Sequence, residues 1–258
     1  MTGMVGQDWS PGTYHRFRGL RLRPAMDLLR SLDPLPAGDV VDLGCGSGTV
    51  GPALAGLGRA VRGVDTSPAM LAEAEASGAY EALELADIAS WHTAETLALI
   101  YSNAALHWLE DHARLLPRLA GMLTSGGTLA VQVPHQNNAP SHRVWVSLCE
   151  EMFPGRFDQT AGPGVLLPAE YHRLLSDLGT LSLWETEYYQ NLEPSVTAHP
   201  VRLFTEATYA RPILAMLAPD EQAELIARYE AVMEKAYPRA ADGSVLFPFR
   251  RLFFTLVV

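Results

Sequence analysis

Two cysteines in 258 residues, Cys45 and Cys149, leave no material for a disulfide framework or a zinc ligand set. Both read as small buried hydrophobes. Basic residues are scarce too: 19 Lys and Arg stand against 29 Asp and Glu, a formal charge of −10. With a pI near 5.2 and no basic stripe, the chain lacks the surface that nucleic-acid phosphates require. The eight histidines are scattered without metal-ligand spacing, so no metal is expected. No apolar run approaches the roughly 20 residues of a membrane span, and the first thirty residues carry no export signal. The expectation is a cytoplasmic protein with neither nucleic-acid nor membrane partners. Internal repeats and low-complexity tracts are also missing. What remains is an ordinary globular composition, 48% hydrophobic and 19% charged, in a chain long enough for one large core or a core plus a cap.

The chain is organised around V-V-D-L-G-C-G-S-G-T, Val40 to Thr49. An apolar run ending in an acid and three alternate glycines reads as a buried strand turning into a helix. Glycine lets the turn take positive φ and lets a ligand approach the main chain, with a helix N-terminus behind it. A dinucleotide turn also opens Gly-x-Gly, but it wants Gly or Ala five residues after the first glycine, where Thr49 stands. Asp42, two residues before the glycines, suits a ligand with an amino-acid tail: the carboxylate faces an ammonium and the loop amides face a carboxylate. In this the sequence resembles the Rossmann-like S-adenosylmethionine-dependent methyltransferases.

The following strands are read at their tips. A-V-R-G-V-D ends at Asp65, 21 residues after Gly44, placed to accept from both ribose hydroxyls. Dehydrogenases share this feature, so it indicates a nucleoside without choosing the cofactor. Thr66, Ser67 and Pro68 start a helix whose Met70 serves equally as core or adenine contact. A third strand, Glu81 to Ile88, delivers Asp87, which is either a turn residue or an acceptor for the adenine amino group with Ile88 on the ring. The fourth, Thr96 to Asn103, ends in a polar tip, and Asp111 caps the next helix, which is expected to stop at Ser125-Gly126-Gly127. A fifth strand, T-L-A-V-Q-V, ends at Pro134. Alternating strands and helices argue a doubly wound parallel sheet, whose strand ends Asp42, Asp65, Asp87 and Asn103 converge on one crevice.

The flanks are less regular. Residues 1–32 read as a lid segment, in which Arg21 and Arg23 precede Pro24, taken as the first turn of a helix carrying Leu28 and Leu29. Cations beside a cleft in an acidic protein suit an anionic substrate. Residues 39–134 form the cofactor core. Residues 135–168 and 194–248 read as insertions making one helical cap within a single domain, with an amphipathic helix from Pro219 to Tyr237 in the second. Between them lies a long strand, L-S-L-W-E-T-E-Y-Y-Q, and F-R-R-L-F-F-T-L-V-V closes the chain.

Several stretches together resemble the trans-aconitate 2-methyltransferases: W-S-P-x-x-Y near the start, R-x-R-P-A from Arg21, N-A-x-L-x-W from Asn103, W-E-T-x-Y-Y from Trp184, and A-Y-P-x-x-x-D-G-x-x-L-x-P-F-x-R-L-F from Ala236. The resemblance implies an α/β fold of the class I methyltransferase type, a seven-stranded, mostly parallel sheet with an antiparallel last strand and helices on both faces. It implies S-adenosylmethionine held by Asp42, Gly44, Cys45, Gly46, Asp65, Thr66, Met70, Asp87, Ile88 and Asn103, a small carboxylate acceptor, and a monomer or weak homodimer. Departures fall at Phe204, Ala207, Tyr209 and Ala210, where the family tends to W-x-x-G-T-x-L-R-P, at His107 in place of Gln, and at Ala98 in place of Asp. A carboxylate is ionised at neutral pH, so methyl transfer to it needs no general base. Positioning and water exclusion suffice, with Arg21, Arg23, Arg211, Tyr14 and His107 as the substrate-binding candidates. Other readings are a methyltransferase acting at oxygen or nitrogen of another metabolite, with His107 as a base, and a nicotinamide oxidoreductase or non-catalytic nucleoside-binding module.

Overall fold

The computed structural model describes residues 18–157, 164–206 and 208–258. Its chain order is α1 (Arg18–Arg30), β1 (Asp39–Leu43), α2 (Gly51–Ala55), β2 (Val61–Asp65), α3 (Pro68–Ala76), β3 (Ala82–Leu85), β4 (Leu97–Asn103), a 3-10 turn (Leu106–Trp108), α4 (His112–Ala120), β5 (Leu123–Pro134), α5 (Pro140–Met152), α6 (Pro168–Leu175), β6 (Thr180–Leu192), α7 (Pro200–Glu206), α8 (Arg211–Ala215), α9 (Pro219–Ala236) and β7 (Val245–Val257). The strands form one seven-stranded sheet in the order β3-β2-β1-β4-β5-β7-β6. β1, β2, β3, β4 and β5 pair in parallel. β7 runs antiparallel to β5: the Gly126 amide donates to the Val258 carbonyl and the His135 amide to the Arg250 carbonyl.

Central parallel strands must be apolar on both faces, which is why Val40, Val41 and Leu43 of β1 and Leu97 to Tyr101 of β4 are fully buried. β3, at the sheet edge, covers Ala82–Leu85 and not the expected Glu81 to Ile88. Its one partner, β2, turns away after Asp65, so Asp65↔Leu85 is the last pair and Asp87 and Ile88 lie in the following loop. The helix α4 ends at Ala120, before the expected Ser125-Gly126-Gly127 stop. β5 already begins at Leu123, opposite Leu97, and the glycine pair sits in a register shift, since Leu99 pairs next with Thr128. Gly127 fits there because a β-carbon would press on the Thr124 and Leu97 carbonyls. Pro24 lies inside α1 and not in its first turn. The proline forfeits one backbone bond, and burial of Ala25 and Leu28, with the Tyr101 hydroxyl donating to the Ala25 carbonyl at 2.7 Å, holds the helix nonetheless.

The chain divides into two compact units, the first made of described residues up to Pro134 with Gly164–Glu185 and Leu252–Val258, the second of those within His135–Pro163 and Thr186–Arg251. In the first, Val41, Leu43, Ile100, Leu116, Leu129 and Phe254 belong to one core. The second has its own, centred on Trp145 of α5 stacked on Tyr229 of α9 with ring centroids 3.8 Å apart. Their polar atoms are satisfied: Trp145 Nε1 donates to Thr205 Oγ1 and the Tyr229 hydroxyl to the Ser141 carbonyl. No described helix is long and apolar enough to cross a membrane.

Candidate functional site

The glycine loop after β1 is shaped by close approach. Gly44 has φ +76°, and a β-carbon there would overlap the Ala105 methyl and touch Ile88. The loop after β1, the loop after β4 and the loop after β3 therefore meet at one residue. Gly46 differs: at φ +54° it has nothing within 4 Å of where a β-carbon would stand, so a ligand can reach the backbone. Its amide donates to Asp65 Oδ2 at 2.9 Å, and the Ser67 amide donates to Asp65 Oδ1 at 2.9 Å. A carboxylate has about four acceptor positions, so the two amides fix its orientation and leave room for two hydroxyl donors.

Asp42 is 3% exposed, and the Tyr80 hydroxyl donates to its Oδ2 at 2.8 Å. Burial pushes its carboxyl up to about 7; the hydrogen bond from Tyr80 opposes the rise and the nearby Asp65 charge adds to it. A buried acid with so raised a pKa is primed for a cation. The Tyr80 ring reaches it through a slot of missing side chains, since β-carbons at Gly48, Gly51 and Gly63 would each collide with the ring. Tyr80 was not among the residues singled out from sequence; the glycines at 48, 51 and 63 were its only trace.

Asp87 sits beyond β3 and accepts from the Ala89 amide at 2.8 Å, while Ile88 is 7% exposed and packed in the core. Arg118 of α4 pins this loop: its guanidinium donates to the carbonyls of Trp91, Ile88 and Ala89. Asn103 closes β4, and its Oδ1 is buried without a hydrogen-bond partner among the described residues. The next residue, Ala104, holds φ +54°, a conformation that costs a non-glycine residue about 1 kcal/mol or more. Its amide donates to the Gln132 carbonyl, which anchors the turn. Met70 is 3% exposed at the start of α3, Thr66 is exposed, and the Cys45 thiol is buried and pushed upward by that burial.

These groups fit S-adenosylmethionine. A buried carboxylate suits the ammonium, Gly46 offers an open backbone, Asp65 suits the ribose, and the orphaned Asn103 oxygen lacks only a donor. Among the described residues no group of three or more His, Cys, Asp or Glu side chains is placed to hold a metal.

The substrate candidates are more dispersed. Tyr14 lies outside the described residues, and Arg21 is described only as part of the α1 backbone. Arg23 is exposed and pairs with Asp27 at 3.1 Å. Arg211 is the exposed first residue of α8. His107 is 6% exposed, its ring 4.5 Å from that of Trp108, and its carbonyl accepts from the Gly164 amide. Of the departures from the family pattern, Ala207 lies outside the described residues; Phe204 packs on Phe247 and Phe249, Tyr209 on His142, and Ala210 is fully buried.

Comparison with known proteins points to the same class of cofactor. Residues 41–131 match the family model described as "Methyltransferase domain". The chain is 40% identical to the trans-aconitate 2-methyltransferase of Methylobacterium nodulans, over 95% of this chain and 96% of that one. It is 34% identical to that of Pseudomonas aeruginosa, over 95% and 92%. Among solved structures, a putative methyltransferase from Bacillus halodurans has a TM-score of 0.57 at 16% identity, covering 90% of this chain and 97% of that one. A geranyl diphosphate C-methyltransferase from Streptomyces coelicolor, in complex with S-adenosyl-L-homocysteine, has 0.51 at 18%, covering 99% and 86%.

Proposed function

The chain belongs to the trans-aconitate 2-methyltransferase family of S-adenosylmethionine-dependent methyltransferases, and from that premise we propose that it forms a methyl ester on a small carboxylic acid, trans-aconitate first. The observation that carries this reading is identity of 40% along 95% of the chain to a relative bearing that name.

Bound S-adenosylmethionine supplies a methyl group on a sulfonium. The chain's own residues do the rest. Asp42 holds the ammonium, Asp65 the ribose hydroxyls, and Asp87 with Ile88 the adenine; Gly44, Cys45, Gly46, Thr66, Met70 and Asn103 complete the proposed cofactor contacts. The acceptor carboxylate is already ionised, so His107 and Tyr14 position and need not deprotonate. Arg21, Arg23 and Arg211 are proposed to attract its carboxylates. The Arg23 pair with Asp27 is exposed and weak enough to exchange for a substrate anion. Charges of opposite sign cancel as the methyl moves, so excluding water from the reacting oxygen favours the reaction.

A mass-spectrometric screen of methyl transfer to di- and tricarboxylates, cis- and trans-aconitate included, against neutral controls tests this reading. Esters on the carboxylates are expected; methylation of the neutral compounds alone would overturn it. We further propose a cytoplasmic monomer or weak homodimer, to be read by cell fractionation and by sedimentation.

The raised pKa of Asp42 makes cofactor binding pH-dependent. An ammonium selects the ionised carboxylate, so calorimetric affinity for S-adenosylhomocysteine is expected to weaken about tenfold per pH unit below about 7 and to level off above it. Tyr80→Phe removes the opposing hydrogen bond, moves that break to higher pH and weakens binding by roughly five- to tenfold near pH 7. An affinity insensitive to pH between about 6 and 8 would refute the pairing of Asp42 with the ammonium. The ligand-free protein shows the converse. Asp42 ionises at 3.8 when unfolded and at about 7 when folded, so its contribution to stability is present below pH 3.8 and lost as pH rises toward 7. Asp42→Asn should flatten that part of a melting-temperature profile.

A further inference from the structure

Two non-glycine residues among those described hold positive φ, Ala104 at +54° and Asp111 at +51°, and they bracket the turn that follows β4. Backbone strain of this kind persists only where the surroundings over-determine it. The Ala105 methyl packs where a side chain at Gly44 would stand. The Gly164 amide donates to the His107 carbonyl at 2.9 Å, and a β-carbon at Gly164 would run into the Leu109 carbonyl. A further hold is a pair of buried side chains outside the proposed cofactor and acceptor contacts: His112 of α4, 3% exposed, and Tyr171 of α6, 1% exposed.

His112 Nε2 lies 2.9 Å from the Leu106 carbonyl oxygen, and Nδ1 lies 2.8 Å from the Tyr171 hydroxyl. A carbonyl oxygen only accepts, so the ring carries its proton on Nε2 and its Nδ1 accepts from the hydroxyl. The hydroxyl oxygen in turn accepts from the Leu166 amide at 3.4 Å. Burial lowers the His112 pKa against the opposing effects of the Leu106 carbonyl and the Asp111 charge, which keeps the ring neutral. The bonds thus run in one direction, from Leu166 through both side chains to Leu106. Tyr171 is itself packed on Phe254, with ring centroids 5.4 Å apart. All of these residues belong to the first unit.

We propose that His112 and Tyr171 are positioning residues for methyl transfer, which fix residues 106–109 of the turn, His107 among them, at the distance from the cofactor loop that the reaction needs. The proposal rests on the carboxyl-methyltransferase reading with His107 as an acceptor contact. The Asn103 end of the turn is held separately, because Asn103 pairs with Gln132 across β4 and β5 and the Ala104 amide donates to the Gln132 carbonyl. Loss of the pair therefore loosens the acceptor half of the turn and spares the cofactor half. A misplacement near 1 Å costs about 100-fold in rate, so the effect falls on kcat.

The test combines methyl transfer to trans-aconitate with calorimetric binding of S-adenosylhomocysteine, both well below the unfolding temperature. Tyr171→Phe should lower kcat about tenfold and His112→Leu about 100-fold, with the acceptor KM and S-adenosylhomocysteine affinity held within about threefold. His112→Gln, which restores an N–H for the Leu106 carbonyl, should recover kcat to within about fivefold of wild type. Side chains that merely fill the core would lower the unfolding midpoint when replaced and leave kcat intact at the assay temperature. Hydrogen exchange of residues 104–110 reads the hold without any acceptor and should quicken in Tyr171→Phe and His112→Leu. Wild-type kcat or unchanged exchange in folded Tyr171→Phe overturns the proposal, as does a loss in His112→Gln equal to that in His112→Leu. Should His112→Leu not fold, Tyr171→Phe decides. A wild type that methylates no carboxylate overturns the functional reading, and this assignment with it.

Discussion

Replacing Gly44 with alanine is expected to destabilise the protein by about 3 kcal/mol and to abolish measurable binding of S-adenosylhomocysteine. Two costs add. A residue with a side chain at φ +76° pays about 1 to 2 kcal/mol for the left-handed conformation, and a methyl group overlapping that of Ala105 adds roughly 1 to 3 kcal/mol of overpacking. The relief would come from moving the loop after β1 away from Ala105, which carries the strained Ala104 turn and the Asn103 tip with it. Urea unfolding and calorimetry measure the two effects. Gly46→Ala separates them: its φ is +54° but the space is open, so it should cost only about 1 kcal/mol of stability while its methyl obstructs the ligand. Gly44→Ala with wild-type stability and affinity would show that the three loops do not depend on this contact.

Asp65→Ala is expected to weaken S-adenosylhomocysteine binding about 1,000-fold. Hydrogen bonds to a charged group contribute roughly 1.5 to 3 kcal/mol each, and two ribose hydroxyls would be left without their acceptor. The loss extends beyond the ligand, because Asp65 also receives the Gly46 and Ser67 amides and so fixes the backbone the cofactor approaches. Asp65→Asn keeps an acceptor oxygen but loses the charge and one of the two acceptors, so an intermediate loss near 100-fold is expected. Isothermal titration decides; a loss under about fivefold for alanine would mean that the ribose is held elsewhere.

The cofactor half was legible because its signals are local. V-V-D-L-G-C-G carries strand, turn and acid within seven residues, and β2 and β4 announce their tips by ending an apolar run in a polar residue, Asp65 and Asn103. The limits of the elements were less legible. β3 is shorter than its apolar run because the neighbouring β2 turns away at Asp65, and α4 stops early because Leu123 already pairs with Leu97. In residues 135–168, read as part of a helical cap but with no helix located before Pro168, the structure places α5; Trp145, Leu148, Cys149 and Met152 follow a helical spacing, obscured by flanking proline and asparagine.

Sequence alone thus determined the sheet, the glycine loop and the class of cofactor, because a buried parallel strand and a positive-φ turn restrict the residues that can occupy them. Only the tertiary structure decided which side chains meet across the chain. Tyr80 reaches Asp42 from 38 positions away through a slot of glycines, and Arg118 clamps the loop at Ile88 from 30 positions away. Arg250 and Arg251, adjacent and chemically identical, separate into a solvated ion pair and a buried cation. Burial depends on what packs against a residue, and no local pattern carries that information.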